Sequence, residues 1–524
     1  MVHTFDFDYI VIGSGFGGSV AALRLSEKGY RVLVLEKGKW FSAEDFPKRN
    51  WNVRRWLWVP LLRFFGFFKI SFFRHVTILS GVGVGGGSLV YANTLPLPRD
   101  EFFEAYSWAH LSDWKSELQE HYETARRMLG TTPNPRLETG DLALKKLAED
   151  IGKVEYFEPT QVAVFFGEAD KTVPDPYFGG KGPERVGCNF CGGCMTGCRY
   201  NAKNTLDKNY LYLAQQLGVK IQAESEVYDV LPNGNTDGSE GYQVKWKKST
   251  GFLKKKGHYT ASGVIFAGGV LGTIPLLLKL KHSSLPNLSP RVGDGVRTNS
   301  ESLVGITTFD KDTVFSDGIA IGSILHTDQH SHLEPVRYAS GSGFWRLMMS
   351  PLVHGPNVFI RILKAMGNLV THPIKSLRVI FVWNWASRTQ ILLFMRTLDS
   401  TLRFSRGLLG MQSSMSQGTA PTPFVAEARE LAEKYAEIVN AKPIVLLTET
   451  LFGIPTTAHI LGGAVMGKDA DEGVIDKNHK VFGYQNMYIC DGSAISANPG
   501  VNPSLTITAL AERAIQKIPA KKEL

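Results

Sequence analysis

A chain of 524 residues that is 43% hydrophobic and 20% charged has material for two or three domains with ample cores and is not intrinsically disordered. Lys and Arg outnumber Asp and Glu by 58 to 49, a net charge of +9, so only weak attraction to an anionic membrane surface is expected and no nucleic-acid partner. No uncharged stretch reaches the roughly 18 residues of a spanning helix, and the acidic N-terminus does not resemble a signal peptide. A reducing cytoplasmic setting is therefore expected, with peripheral membrane contact as an option.

The segment "DYIVIGSGFGGSVAALRLSEKGYRVLVLEKG" opens the fold. Tyr9 to Ile12 reads as a buried strand, and Gly13, Gly15 and Gly18 form G-x-G-x-x-G. A helix is expected from about Ser19 to Lys28, then a second strand ending at Glu36, eighteen residues after Gly18. This order of parts is a dinucleotide-binding fingerprint. Gly13 allows the tight turn, Gly15 lets a pyrophosphate approach, and Gly18 lets helix and strand pack. The helix N-terminus offers free N–H groups to phosphate. Glu36 can accept from ribose hydroxyls and would repel a 2′-phosphate, which argues against NADP. NAD and FAD both remain open on this segment alone.

Residues 51–75 follow, dense in Trp, Phe and Leu with interspersed Arg and Lys, and residues 344–370 repeat that character. Such stretches suit a membrane interface or the core and lid of a substrate domain. Five glycines fall between Gly81 and Gly87, just before "SLVYAN", and can lay bare backbone along a flat ring. "CNFCGGCMTGC" then carries Cys188, Cys191, Cys194 and Cys198, four of the five cysteines. Their spacing is that of a ferredoxin run without its final proline. An iron–sulfur cluster, zinc, and free or disulfide-linked thiols are all open. Residues 262–273 read as a strand running into a glycine turn. Near the C-terminus a strand from Met487 to Cys490 ends in Asp491 and Gly492, and a helix begins beside Pro503.

Together, "IGSGFGGSVAALRL", "GVGVGGGSLVYANTL", "VPDPYFGG", "MTGCRYNAKNTL", "RTNSES", "HILGGAVMG" and "DGSAISANPGVNPSLTITALAERA" resemble the glucose–methanol–choline (GMC) family of FAD oxidoreductases, and within it the cholesterol oxidases of mycobacterial type. The resemblance implies an α/β (α+β overall) fold: a Rossmann-like FAD-binding domain and a second, substrate-binding domain built on an antiparallel sheet. The first would be discontinuous, from residues 1–44, 215–300 and 476–524. The second would take 45–214, with the Cys-rich segment, and 301–475. Gly13, Gly15, Gly18 and Glu36 would hold the ADP half of FAD, and Val227 would meet adenine through its backbone. Gly87, Tyr91, Ala92 and Asn93 would lie along the flavin, with Asp491, Gly492 and Asn502 near the ribityl chain and ring.

The resemblance also implies a catalytic pair, His459 and Asn502. An imidazole with an ordinary pKa of about 6.5 can take the proton of an alcohol near neutrality, while Asn502 orients substrate and flavin. A glutamate is implied for isomerising a Δ5 double bond. Glu301 and Glu449 are acids in suggestive places, but neither sits in an aligned motif. The implied reaction is oxidation of a sterol 3-hydroxyl, with hydride to flavin N5 and electrons passed to oxygen or another acceptor. An iron–sulfur centre on the cysteine run would favour an acceptor other than oxygen. The alternatives are another hydrophobic or long-chain alcohol, an electron-transfer module, or an NAD(P)-linked reductase.

Overall fold

The computed structural model describes residues 5–522 apart from 253, 354, 356, 357, 372–381, 399 and 409. Two seven-stranded sheets organise the described residues. In the first, strands Lys220–Gln222, Val32–Leu35, Phe7–Ile12, Lys256–Phe266 and Met487–Ile489 run parallel. Val32–Leu35 is buried at every position and Phe7–Ile12 at its last four. Such unbroken apolar runs suit parallel strands covered on both faces. Strands Tyr242–Lys248 and Ser225–Pro232 extend the sheet antiparallel from the first half of Lys256–Phe266.

The register decides where function can sit. Ile12 pairs with both Leu35 and Phe266, and Phe266 pairs with Ile489. Four strands thus end level, and the residues that follow them are Gly13, Glu36, Ala267 and Cys490. This is the carboxyl edge at which open α/β sheets bind ligands.

Helix Phe16–Glu27 packs against this sheet and against helix Ser504–Gln516, which in turn packs on Trp114–Leu129. The first of these begins at Phe16, inside the glycine loop and earlier than the sequence suggests, so Gly17 and Gly18 lie in its first turn. Arg24 pairs with Glu512 at 2.7 Å, and the Tyr210 hydroxyl donates to the same carboxylate at 2.6 Å. Leu118, Tyr122, Tyr210 and Leu211 share the core of this sheet, although they fall in the 45–214 stretch that the family resemblance assigns to the substrate domain.

The second sheet is antiparallel throughout, in the order Met349–Pro351, Ala441–Leu446, Ser302–Thr308, Thr389–Arg396, Ser331–Val336, Ser323–His326, Phe157–Pro159. Its strands alternate with the two-residue period of pleated structure. Val304, Ile306, Leu333, Leu392 and Phe394 pack against helices Thr139–Asp150 and Ala426–Ile438. Leu303, Val336, Ile391 and Leu393 point the other way, into a cavity. A buried ion pair at 2.8 Å, Asp141 with Arg337, ties the first of those helices to the sheet. Among the described residues no helix is long and apolar enough to cross a membrane.

Candidate active site

A cavity of about 620 Å3 lies between the carboxyl edge of the parallel sheet and the inner face of the antiparallel one. Gly13, Gly15, Glu36, Gly87, Tyr91, Ala92, Val227, His459, Asp491, Gly492 and Asn502 all line it. Gly18 and Asn93 do not. Gly18 packs beneath the loop, where a Cβ would sit 2.1 Å from the Gly13 carbonyl oxygen. Asn93 is buried behind the wall, in left-handed backbone, beside Cys194.

The two glycine loops are built around each other. Gly13 has φ +106°, and a Cβ there would lie 2.4 Å from the Ala267 carbonyl oxygen. A Cβ on Gly86, at φ +52°, would lie 2.7 Å from the Gly15 Cα. Only glycine meets both the conformation and the approach. Gly15 itself is open: its Cβ would meet nothing nearer than the Ala267 oxygen at 4.0 Å, so a side chain there would enter the cavity.

Three helices begin at this cavity: Phe16–Glu27, Val270–Leu280 and Ser504–Gln516. None has a side-chain cap on its first N–H groups. Uncapped N-termini present free donors and the positive end of the helix dipole, and three converging on one space suit a ligand with several negative or electron-rich groups.

The acids at the cavity divide into holders of backbone and holders of histidine. Glu36 accepts from Ser14 N–H at 3.1 Å, Ser14 Oγ at 2.7 Å and Gly38 N–H at 2.7 Å. Burial outweighs these bonds and raises its carboxyl above the ordinary range. Asp491 accepts from Ser493 N–H and Gly269 N–H at 2.8 Å and from Thr273 Oγ1 at 2.5 Å. It joins the C-terminal motif to the glycine turn of residues 262–273, and burial raises it as well. Glu301 is different. Its Oε1 lies 2.9 Å from His459 Nδ1, its Oε2 accepts from Ala458 N–H at 3.2 Å, and the Thr457 hydroxyl donates to it too. The carboxylate therefore holds the imidazole with Nδ1 protonated and Nε2 left for the cavity. Burial works against the imidazolium, but Glu301 beside it and Glu334 beyond it outweigh that and hold His459 above the ordinary histidine range.

Glu334 is the functional candidate that sequence reasoning missed. It is fully buried on strand Ser331–Val336, and its Oε2 lies 3.5 Å from the side-chain nitrogen of Asn502. Asn502 Oδ1 is buried with no partner among the described residues. Glu449 is also buried, which drives its carboxyl well above the ordinary range; neither it nor Glu334 lines the cavity, but Glu334 touches Asn502, which does.

Of the readings open for the cysteine run, the structure shows free thiols. Cys188, Cys191, Cys194 and Cys198 are free thiols, and among the described residues no three His, Cys, Asp or Glu side chains group to hold a metal. Burial pushes the Cys191 thiol up to about 11 and Cys188 higher still. The run serves as wall. Buried Lys203 donates to the carbonyl oxygens of Leu89, Tyr91 and Cys194 at 3.1, 3.0 and 2.8 Å. That ties the second glycine loop to the cysteine loop, which places Met195 on the cavity.

Residues 398–511 match the GMC oxidoreductase family model, and residues 11–46 match that of the NAD(P)-binding Rossmann-like domain. A cholesterol oxidase of Acinetobacter baumannii is 46% identical over 100% of this chain and 96% of its own length. The chain belongs to the GMC oxidoreductase family. A cholesterol oxidase of Mycobacterium tuberculosis is 43% identical over 99% of this GMC chain and 92% of its own. The fold likewise matches that of a pyridoxine 4-oxidase from "Mesorbium loti", with TM-score 0.63 at 14% identity, covering 98% of this chain and 99% of that one. The GMC chain is an FAD-dependent alcohol oxidoreductase, and its glycine cradle, uncapped helix N-termini and Glu36 fit that cofactor.

Proposed function

We propose that this enzyme oxidises the 3-hydroxyl of a sterol. The observation that carries the proposal is the continuity of the cavity. From His459 and Asn502 it runs on past Leu303, Ile391 and Leu393 to Tyr338, Trp345, Met349 and Leu446, a wall suited to a large rigid apolar body. The cholesterol oxidases among its relatives support the same substrate class.

Bound FAD supplies a hydride acceptor at flavin N5. The chain supplies the rest. His459 Nε2 takes the hydroxyl proton as the carbinol hydrogen leaves, and the resulting imidazolium is stabilised by Glu301 at Nδ1. The Asn502 side chain holds the hydroxyl oxygen so that the reacting atoms meet at about 3–3.5 Å. Glu334, which touches Asn502, is the carboxylate proposed to exchange a proton with the substrate, because Glu301 is engaged with His459 and, among the described residues, Glu449 has no contact with either catalytic candidate. Anaerobic addition of cholesterol to the FAD-loaded enzyme should bleach the flavin band. A spectrum that cholesterol leaves unchanged while a long-chain alcohol bleaches it would overturn the sterol assignment.

The substrate is expected to enter from a bilayer. Trp345 and Leu446 line the cavity, while their near neighbours Leu347 and Leu447 are exposed. Phe359, Phe452 and Trp383 are exposed too, the last at 91%. In residues 51–75 the structure divides the aromatic segment: Trp56, Trp58, Phe67 and Phe68 are core, whereas Trp51, Leu61 and Leu62 are exposed. Residues 354, 356 and 357 of the second stretch lie outside the described residues. Leu347→Asp with Trp383→Asp should abolish sedimentation with anionic phospholipid vesicles and spare turnover of detergent-dispersed sterol. Undiminished vesicle binding would refute the docking face.

A further inference from the structure

Beyond Glu334, one face of the antiparallel sheet carries polar groups that the reaction above does not use. Strands Ser323–His326 and Ser331–Val336 pair so that His326 stands directly opposite His332. His332 and Glu334, two residues apart, share the face that looks toward Asn502. His332 Nε2 lies 3.6 Å from Glu334 Oε1, and both side chains are almost completely buried. Neither atom has a hydrogen-bond partner among the described residues, and neither has His326 Nδ1. The two imidazole rings meet edge to face with centroids 5.9 Å apart. His326 is partly exposed, and its Nε2 lies 3.6 Å from Glu158 Oε1, a carboxylate open to solvent on strand Phe157–Pro159. The row therefore leads from Asn502 through Glu334, His332 and His326 to Glu158 at the surface.

We propose that His332 and His326 form a proton path between solvent at Glu158 and the buried carboxylate of Glu334. This rests on the reading that Asn502 and Glu334 face the reacting alcohol. Burying four polar groups in a row without saturating them is costly, and a stabilising core would be better served by apolar side chains at 326 and 332. An imidazole can pass a proton without net change: it takes one at one nitrogen and gives one from the other. A proton taken up at His326 Nε2 releases another from Nδ1 toward His332, whose Nε2 delivers one to Glu334. The reverse sequence drains a proton from Glu334 to solvent. Gaps of 3.5 and 3.6 Å exceed good hydrogen bonds, and the two rings, with centroids 5.9 Å apart, are not joined through His326 Nδ1, so each transfer needs a side-chain adjustment, the largest between the imidazoles. The charged groups facing His326 are Glu158 and Arg99, and Glu334 faces His332. Burial, then His332 and Arg99, push His326 down to about 4, which makes protonation of that ring transient.

The test combines a substrate-free measurement with turnover. In protein carrying labelled histidine, NMR reads exchange of the His332 ring proton with solvent. His326→Phe should slow that exchange about tenfold or more, and Glu158→Gln, a change at an exposed position that the fold tolerates, should slow it in the same direction. In the FAD-loaded enzyme His332→Phe should raise the solvent deuterium isotope effect on turnover, with partial recovery in imidazole buffer and a KM for cholesterol near that of the parent. A merely structural role would lower activity without moving the isotope effect. Unchanged exchange at His332 in both His326→Phe and Glu158→Gln overturns the path. Failure of cholesterol to bleach the parent enzyme would instead sink the sterol assignment and leave the exchange result standing.

Discussion

The Glu301–His459 pair makes the most direct claim on chemistry, and Glu301→Gln tests it. Gln keeps the volume of the side chain and can still accept from His459 Nδ1, so it removes the charge alone. At 2.9 Å, with Glu301 side-chain exposure of 1% and His459 of 13%, the pair is poorly screened by solvent. A hydrogen bond to a charged group is worth about 1.5–3 kcal/mol, which corresponds to roughly 10- to 150-fold in a rate that forms the imidazolium. The sign of the pH effect also follows. His459 accepts the proton in its neutral form, so flavin reduction rises as pH climbs through its pKa. Glu301 raises that pKa, so its loss should move the rising limb to lower pH while reducing the plateau. Anaerobic stopped-flow of flavin bleaching by cholesterol between about pH 5 and 8 reads both effects. A variant that keeps both plateau and limb at wild-type values, with flavin bound, would refute the assignment of His459 as proton acceptor.

Three further outcomes probe the scaffold. Gly15→Leu would send a side chain into the cofactor cradle, so the purified protein should carry little flavin by its absorbance ratio; full occupancy would show that the loop moves aside. Asp141→Asn breaks a buried ion pair and also weakens the bond from Ser323 Oγ at 2.8 Å. It should cost about 3–5 kcal/mol in denaturant unfolding, and a loss near zero would mean that the pair is relieved by rearrangement. Cys191, half-buried with a pKa of about 11, should be thiolate in only about one molecule in 10,000 at neutral pH and react slowly with Ellman's reagent; rapid labelling in the folded protein would contradict that raised pKa.

What the amino-acid sequence discloses depends on how locally each feature is encoded. The nucleotide loop is legible because Gly13, Gly15, Gly18 and Glu36 lie at fixed spacing within one strand–helix–strand unit. The cysteine run stays ambiguous for a related reason: spacing along a loop does not by itself decide between a metal site and free thiols, and here the loop turns to place Met195 on a wall. His459 and Asn502 come from distant segments and are legible only through family resemblance, while Glu301 is visible as an acid without a partner. Glu334 and His332 are concealed by their own pattern. Within "SHLEPV", His332 to Pro335 alternate polar with apolar as a half-exposed strand does, with Leu333 turned to the core. By that rule the polar face should meet water, yet all six residues are buried. The polar face meets the C-terminal flavin motif at Asn502, brought there from the other sheet. An alternating strand whose polar side faces protein is the condition under which a charged group is worth its burial, which is why the residues least visible in the sequence are the ones assigned to proton traffic.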